Sequence, residues 1–152
     1  MIEDIELQVR LASITGKRCS AKAVGEYKSL MIGFGDEVSR PTARNALAVR
    51  SEWEIGTYTA AWRIVHGNEV LCGSMDPVDG NDELDLKVQG LQLGAALKIE
   101  MTSRFDIRVV LSEQSYVEFI CASSDDDEIL HIFGPDNFFA KYSVADGWTA
   151  KG

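Results

Sequence analysis

Outside its carboxylates, the sequence offers few groups that could do chemistry. There are two histidines, His66 and His131, and three cysteines, Cys19, Cys72 and Cys121. The cysteines are widely spaced and form no Cys-x-x-Cys pair, so neither the zinc-ligand spacing nor a redox motif is present. His66 precedes the turn signal Gly67-Asn68 and is expected to be exposed, and His131 alternates with Leu130 and Ile132 and is expected to face solvent or a polar seam. Asp76, Asp79, Asp82, Glu83 and Asp85 suggest a calcium loop, which needs glycine at its sixth position and glutamate at its twelfth. Counted from Asp79, those positions are Leu84 and Gly90, and the pattern fails. Gly73-Ser74 lacks the second glycine of a nucleophile elbow. Gly33-Phe-Gly35 ends a strand pattern and opens no helix, so it is no phosphate loop. No catalytic residue, metal ligand or cofactor is assigned, and the expectation is a protein that is not an enzyme.

What remains is carboxylate chemistry. Of 152 residues, 24 are acidic and 15 are Lys or Arg, a net charge of −9. Residues 1–76 hold 10 acids and 9 bases, whereas residues 77–152 hold 14 acids and 6 bases. A field of this sign repels phosphate backbones, which argues against nucleic acid as a direct partner. It attracts a basic protein and speeds its arrival. The densest run is Asp125, Asp126, Asp127 and Glu128. It is the first candidate clamp for Lys and Arg of a partner, with Asp79, Asp82, Glu83 and Asp85 second. The plainer reading of both runs is a solvated loop. Trp148, beside Gly147, is the aromatic expected to be partly exposed, and it joins the candidate contacts as an anchor.

The elements that must position these groups can be read from hydrophobic periodicity. Residues 3–15 predict a helix, with acids at its start and Gly16 at its C′ position. Ile5, Val9 and Ala12 share one of its faces, with Leu7, Leu11 and Ile14 beside them. Strand patterns follow at 18–25, 27–34, 46–55, 57–65 and 69–73, with a connecting loop around Arg40-Pro41. Asp82 is placed to cap a second helix over 83–93, with Asp85 in the manner of a capping box. Alternation then returns at 96–102, 105–111, 116–121, 129–133 and 137–144. Tyr58, Trp62, Phe138, Phe139, Tyr142 and Trp148 fall in the last strands of each half, where most are expected in the core.

Residues 1–152 read as a single α+β domain, mainly antiparallel β, large enough to bury a core without staples. The halves 1–76 and 77–152 share an element order, and apolar positions pair at an offset of 77. Leu30, Ile32 and Phe34 answer Ile107, Val109 and Leu111, and Trp53, Ile55 and Trp62 answer Leu130, Ile132 and Phe139. Identities at this offset are no more frequent than composition gives. The pattern makes a pseudo-twofold duplication of a helix-plus-β-hairpin unit, packed as a sandwich or barrel, a candidate architecture.

The run Ser29-Leu-Met-Ile-Gly-Phe-Gly35, then Trp53-Glu-Ile55, then Phe105-Asp-Ile-Arg-Val-Val-Leu111 resembles small bacterial proteins of the toxin-immunity type. The second half departs from their pattern, with Leu130 at the tryptophan position. The resemblance implies a protein that neutralises a cognate toxin, such as a nuclease domain, and it carries over no catalytic residue. An acidic face is what would plug a basic active cleft. The alternatives are a small-ligand-binding β-domain or unrecognised enzyme, and a homodimer joined through strand edges. The N-terminus is acidic and lacks an apolar run, and no stretch approaches the roughly 18 apolar residues that cross a bilayer. The expected setting is the cytoplasm, away from membranes.

Overall fold

The structure is a computed structural model describing residues 2–39, 49–125 and 128–152. Asp126 and Asp127 lie outside the described residues, as does most of the loop expected around Arg40-Pro41. Helix α1 (Ile5–Ala12) begins where Asp4 Oδ1 accepts the Leu7 N–H at 3.1 Å, satisfying one of the donors left free at a helix start. Leu7 and Leu11, with Ile14 just beyond, face the core, while Ile5 and Val9 face solvent. The buried face is thus the second of the two read from sequence. Helix α2 (Asn81–Gln89) is capped by Gly80 without a side-chain bond. The expected cap at Asp82 falls inside the helix, because Asp85 is drawn elsewhere: its Oδ1 accepts the Val24 N–H at 2.8 Å.

Eleven strands complete the described chain. In order they are β1 (Cys19–Val24), β2 (Leu30–Ser39), β3 (Val49–Thr57), β4 (Ala61–His66), β5 (Glu69–Gly73), β6 (Ala96–Ser103), β7 (Asp106–Leu111), β8 (Ser115–Ile120), β9 (Glu128–Phe133), β10 (Phe139–Ser143) and β11 (Gly147–Lys151). The last was not expected from sequence, where Trp148 reads as a terminal residue. All pairings are antiparallel. One sheet runs β1-β2-β3-β9-β10-β11 and the other β5-β4-β8-β7-β6. The result is an α+β fold of two sheets and two helices, open and sandwich-like.

Each sheet therefore mixes strands from both halves of the chain. The seam of the first lies between β3 and β9, where Ile55 stands opposite Ile132. The seam of the second lies between β4 and β8, where Trp62 stands opposite Phe119. This corrects the offset read from sequence beyond β2: Ile55 and Ile132 are neighbours in one sheet and do not occupy matching places in two. The inward faces alternate as strands must. Leu30, Ile32, Phe34, Trp53, Ile55, Leu130 and Ile132 from one sheet meet Trp62, Ile64, Ile107, Val109, Leu111, Val117 and Phe119 from the other, all essentially without solvent contact. On the outer face of the second sheet, buried Glu118 takes Arg63 Nε at 2.8 Å and Arg108 at 3.2 Å from the two flanking strands.

Close backbone approach requires glycine at Gly56, where a Cβ would strike the Leu30 carbonyl oxygen. Gly56→Ala is expected to destabilise the fold by about 1–3 kcal/mol, the usual cost of overpacking, measured by urea titration against wild type. The interleaved sheets carry a second expectation. Fragments 1–76 and 77–152 should each be largely unfolded alone and should recover native circular dichroism on mixing, since neither completes a sheet. Independent folding of either fragment would contradict this topology.

Candidate functional site

The strand registers send a defined set of connections to one end of the sandwich. Leu30 pairs with Thr57, Ala61 and Asp106 each pair with Ile120, Arg63 pairs with Gly73, and Ser143 pairs with Glu128. The turn at 26–29, the turn at 103–106, the start of the β5–α2 connection and both crossings between sheets, 57–61 and 120–128, therefore gather at the same end. Three aromatic side chains are exposed among the described residues, Tyr27, Tyr58 and Phe105, and all three sit on these connections with the exposed Met75.

The β1–β2 turn is held in a conformation that side-chain-bearing residues avoid. Tyr27 and Lys28 both have left-handed backbones, with φ of 56° and 57°. Neither is glycine, so the turn stores strain that its surroundings must hold. Buried Trp62 donates its indole N–H to the Lys28 carbonyl at 2.8 Å. Asn81 Oδ1, at the start of α2, accepts the Lys28 N–H at 3.2 Å. Thus Tyr27, 86% exposed, is displayed on a braced turn. The other turn is braced likewise: the Tyr142 hydroxyl donates to the Arg104 carbonyl at 2.7 Å, and the Cys121 N–H donates to the Phe105 carbonyl at 2.9 Å.

Between these parts lies a cleft of about 290 Å³. Ala60, Ala61, Ile120 and Ile129 give it apolar surface, Tyr27 and Lys28 one wall, and Asp125 and Glu128 its acids. Glu128 is already engaged, its Oε1 lying 2.9 Å from His131 Nδ1. His131 points to the outer side of its sheet, as its alternation predicted, yet it is only 6% exposed, because Tyr58 stacks on it at 4.4 Å and Phe133 meets it edge-on at 5.6 Å. Tyr58 is thus no core residue. Burial pushes the His131 pKa below the usual histidine value, against the opposing pull of Glu128 and Glu54.

The structure separates the candidate residues read from sequence. Asp125 and Glu128 line the cleft. Asp79, Asp82 and Glu83 stand at the start of α2, which Asn81 ties to the Tyr27 turn. Glu83 also accepts the Asp79 N–H at 3.0 Å. Asp85 is spent internally on the β1 edge. Trp148 is half-buried and does not line the cleft, packed on Tyr142 at 5.3 Å with its indole N–H 3.4 Å from Met101 Sδ. Sequence reasoning missed Tyr27, Tyr58 and Phe105 as surface anchors. The two left-handed positions of the first of these turns carry Tyr27 and Lys28 where a sequence reading looks for glycine.

Among the described residues no group of three or more His, Cys, Asp or Glu is placed to hold a metal ion, and no helix is long and apolar enough to cross a membrane. Comparisons of the chain with protein-family models, curated proteins and solved structures give no match.

Because burial lowers the His131 pKa, the folded chain takes up this proton less readily than the unfolded chain, whose histidine titrates near 6.5. The stability it contributes is complete above that value and is lost as the pH falls below it. Wild type is expected to lose stability on acidification below 6.5 with a slope of up to about 1.4 kcal/mol per pH unit from this group. His131→Gln should flatten that part of the profile in denaturant titrations across pH. An unchanged profile would remove His131 as its source.

Proposed function

We propose that this chain is a protein-binding module that works through its crossover end, most concretely an immunity protein that neutralises a cognate bacterial toxin. The observation that carries the proposal is the gathering of the three exposed aromatics on the end that also bears Asp125, Glu128 and the acids at the start of α2. Exposed aromatics on a braced scaffold are what binding hot spots are made of. Acids around them select a basic partner and raise its association rate. A nuclease toxin must carry a basic cleft to bind phosphates, and an acidic end of this kind would occlude it by shape and charge, with no catalytic step. The three cysteines are unpaired, which suits a reducing cytoplasm.

The strand order also supports a pseudo-twofold duplication. Exchanging α1 and β1–β5 for α2 and β6–β10 in order converts β1-β2-β3-β9-β10 into β6-β7-β8-β4-β5. At an offset of 77, Leu7, Leu11, Leu30, Ile32 and Phe34 match Leu84, Val88, Ile107, Val109 and Leu111, all buried. Exposed Val9 likewise matches exposed Leu86. Beyond β2 the offset changes because the β2–β3 and β7–β8 connections differ in length.

A small-ligand reading draws on the cleft, whose 290 Å³ lies at the lower edge of ligand-pocket volumes of roughly 300–1,000 Å³. The deciding experiment uses the tagged full chain as bait in lysate of the source organism, washed at low and high salt. The expected result is a stoichiometric basic protein that high salt releases. Tyr27→Ala and Phe105→Ala should each weaken its binding about tenfold, mainly through faster dissociation. Reversing Asp125, Asp126 and Asp127 to lysine should slow association, and the difference should vanish at high salt. No partner for a folded bait, or a partner indifferent to all these variants, would defeat the proposal.

A further inference from the structure

Resting on that reading, we propose that the cleft receives one arginine side chain of the partner, its guanidinium held between the Tyr27 ring and the Asp125 carboxylate. The cleft is too small for a large cofactor and is lined for an amphipathic group. Ala60, Ala61, Ile120 and Ile129 offer apolar surface for an aliphatic stem, the part of a long cationic side chain that packs well away from water. At its edge the Tyr27 side chain is exposed, and its turn is fixed from behind by Trp62. A planar guanidinium stacks on such a ring and still donates sideways to a carboxylate, which an ammonium does less well.

The two acids are not equivalent. Glu128 is engaged with His131. Asp125 makes one described hydrogen bond, from its own backbone N–H to Ser123 Oγ at 3.1 Å, and its carboxylate has no cationic partner among the described residues. Lys28 lines the same cleft and repels a second cation. The balance of one free carboxylate, one engaged carboxylate and one lysine admits a single positive charge. It does not suit a polycation or a divalent metal.

The probe is N-acetyl-arginine N-methylamide, titrated into the ¹⁵N-labelled full chain, with the uncharged citrulline analogue as control. Shifts are expected at the amides of Ala61, Ile120 and Ser123, about threefold or more weaker for citrulline, for Asp125→Asn and for Tyr27→Ala. Lys28→Met should strengthen the response, which a merely structural role for these residues would not produce. Equal shifts with citrulline, shifts confined elsewhere, or none would overturn the assignment. If a captured partner is bound equally well by wild type, Asp125→Asn and Tyr27→Ala, and arginine gives no cleft shifts, the cleft assignment falls while partner binding by this end stands. If arginine shifts the cleft but lysate yields no partner, the occupant is a free guanidinium compound, and both the immunity reading and the assignment to a partner's side chain fail.

Discussion

The rest of the fold hangs on a short antiparallel crossing of two segments that follow the two helices. The Gly16 N–H donates to Ala96 C=O at 2.7 Å, the Ala96 N–H to Lys17 C=O at 2.8 Å, and the Cys19 N–H to Gly94 C=O at 2.7 Å. Arg18 and Ala95 form the bridge at its centre. Gly16 and Gly94, with φ of 87° and 67°, lie just beyond the ends of the two helices and turn each chain toward an edge strand at this point. At Gly94 a Cβ would also collide with Ser112 Oγ, whose oxygen accepts the Ala95 N–H at 2.9 Å. The starts of β1 and β6 are thereby joined, although they are edges of different sheets.

Joining the sheets at one end fixes what the other end must do. Each half supplies three strands to one sheet and then crosses to extend the other, so two crossings are needed, and the registers place them side by side. Loops at a crossing have no sheet edge to satisfy and little core to fill, which frees their side chains for contact with other molecules. Stability and binding are thus divided between the two ends. The junction end is held by backbone bonds and glycine, and the crossover end by side-chain bonds from buried aromatics to its turns.

The parts legible in the sequence are those governed by local periodicity. Strand alternation at 105–111 and 116–121 and the outward orientation of His131 need only neighbouring residues to be read, whereas the first helix ends at Ala12 with Ser13 as its cap, short of the stop expected at Gly16. The interleaving of the halves is a long-range choice, and the same apolar alternation at Ile55 and Ile132 fits two sheets or one. Asp85 failed as a capping residue because the competing donor, Val24 N–H, lies 61 residues away. Of the site, the acids were visible as composition, whereas the exposure of Tyr27 depends on Trp62 and Asn81, distant residues that meet only in the folded chain.

That dependence bears on why Tyr27 and Lys28 occupy a turn that glycine would fill without strain. A two-residue turn with both backbones left-handed prefers Asn-Gly or Gly-Gly, and each bulky residue there costs of order 1 kcal/mol or more. Glycine would remove that cost, but it would also remove the ring and the cation, and it would loosen the turn in the unbound state. The sequence instead keeps both side chains and offsets the strain with a 2.8 Å bond from the Trp62 indole and a 3.2 Å bond to Asn81. A surface aromatic whose backbone is fixed before binding has less freedom to lose when a partner arrives. The same left-handed pair recurs at Glu113-Gln114 and Asp136-Asn137, away from the cleft, so strain alone does not mark the site; what sets the Tyr27–Lys28 turn apart is that it places an aromatic and a cation beside the Asp125 carboxylate at one cleft.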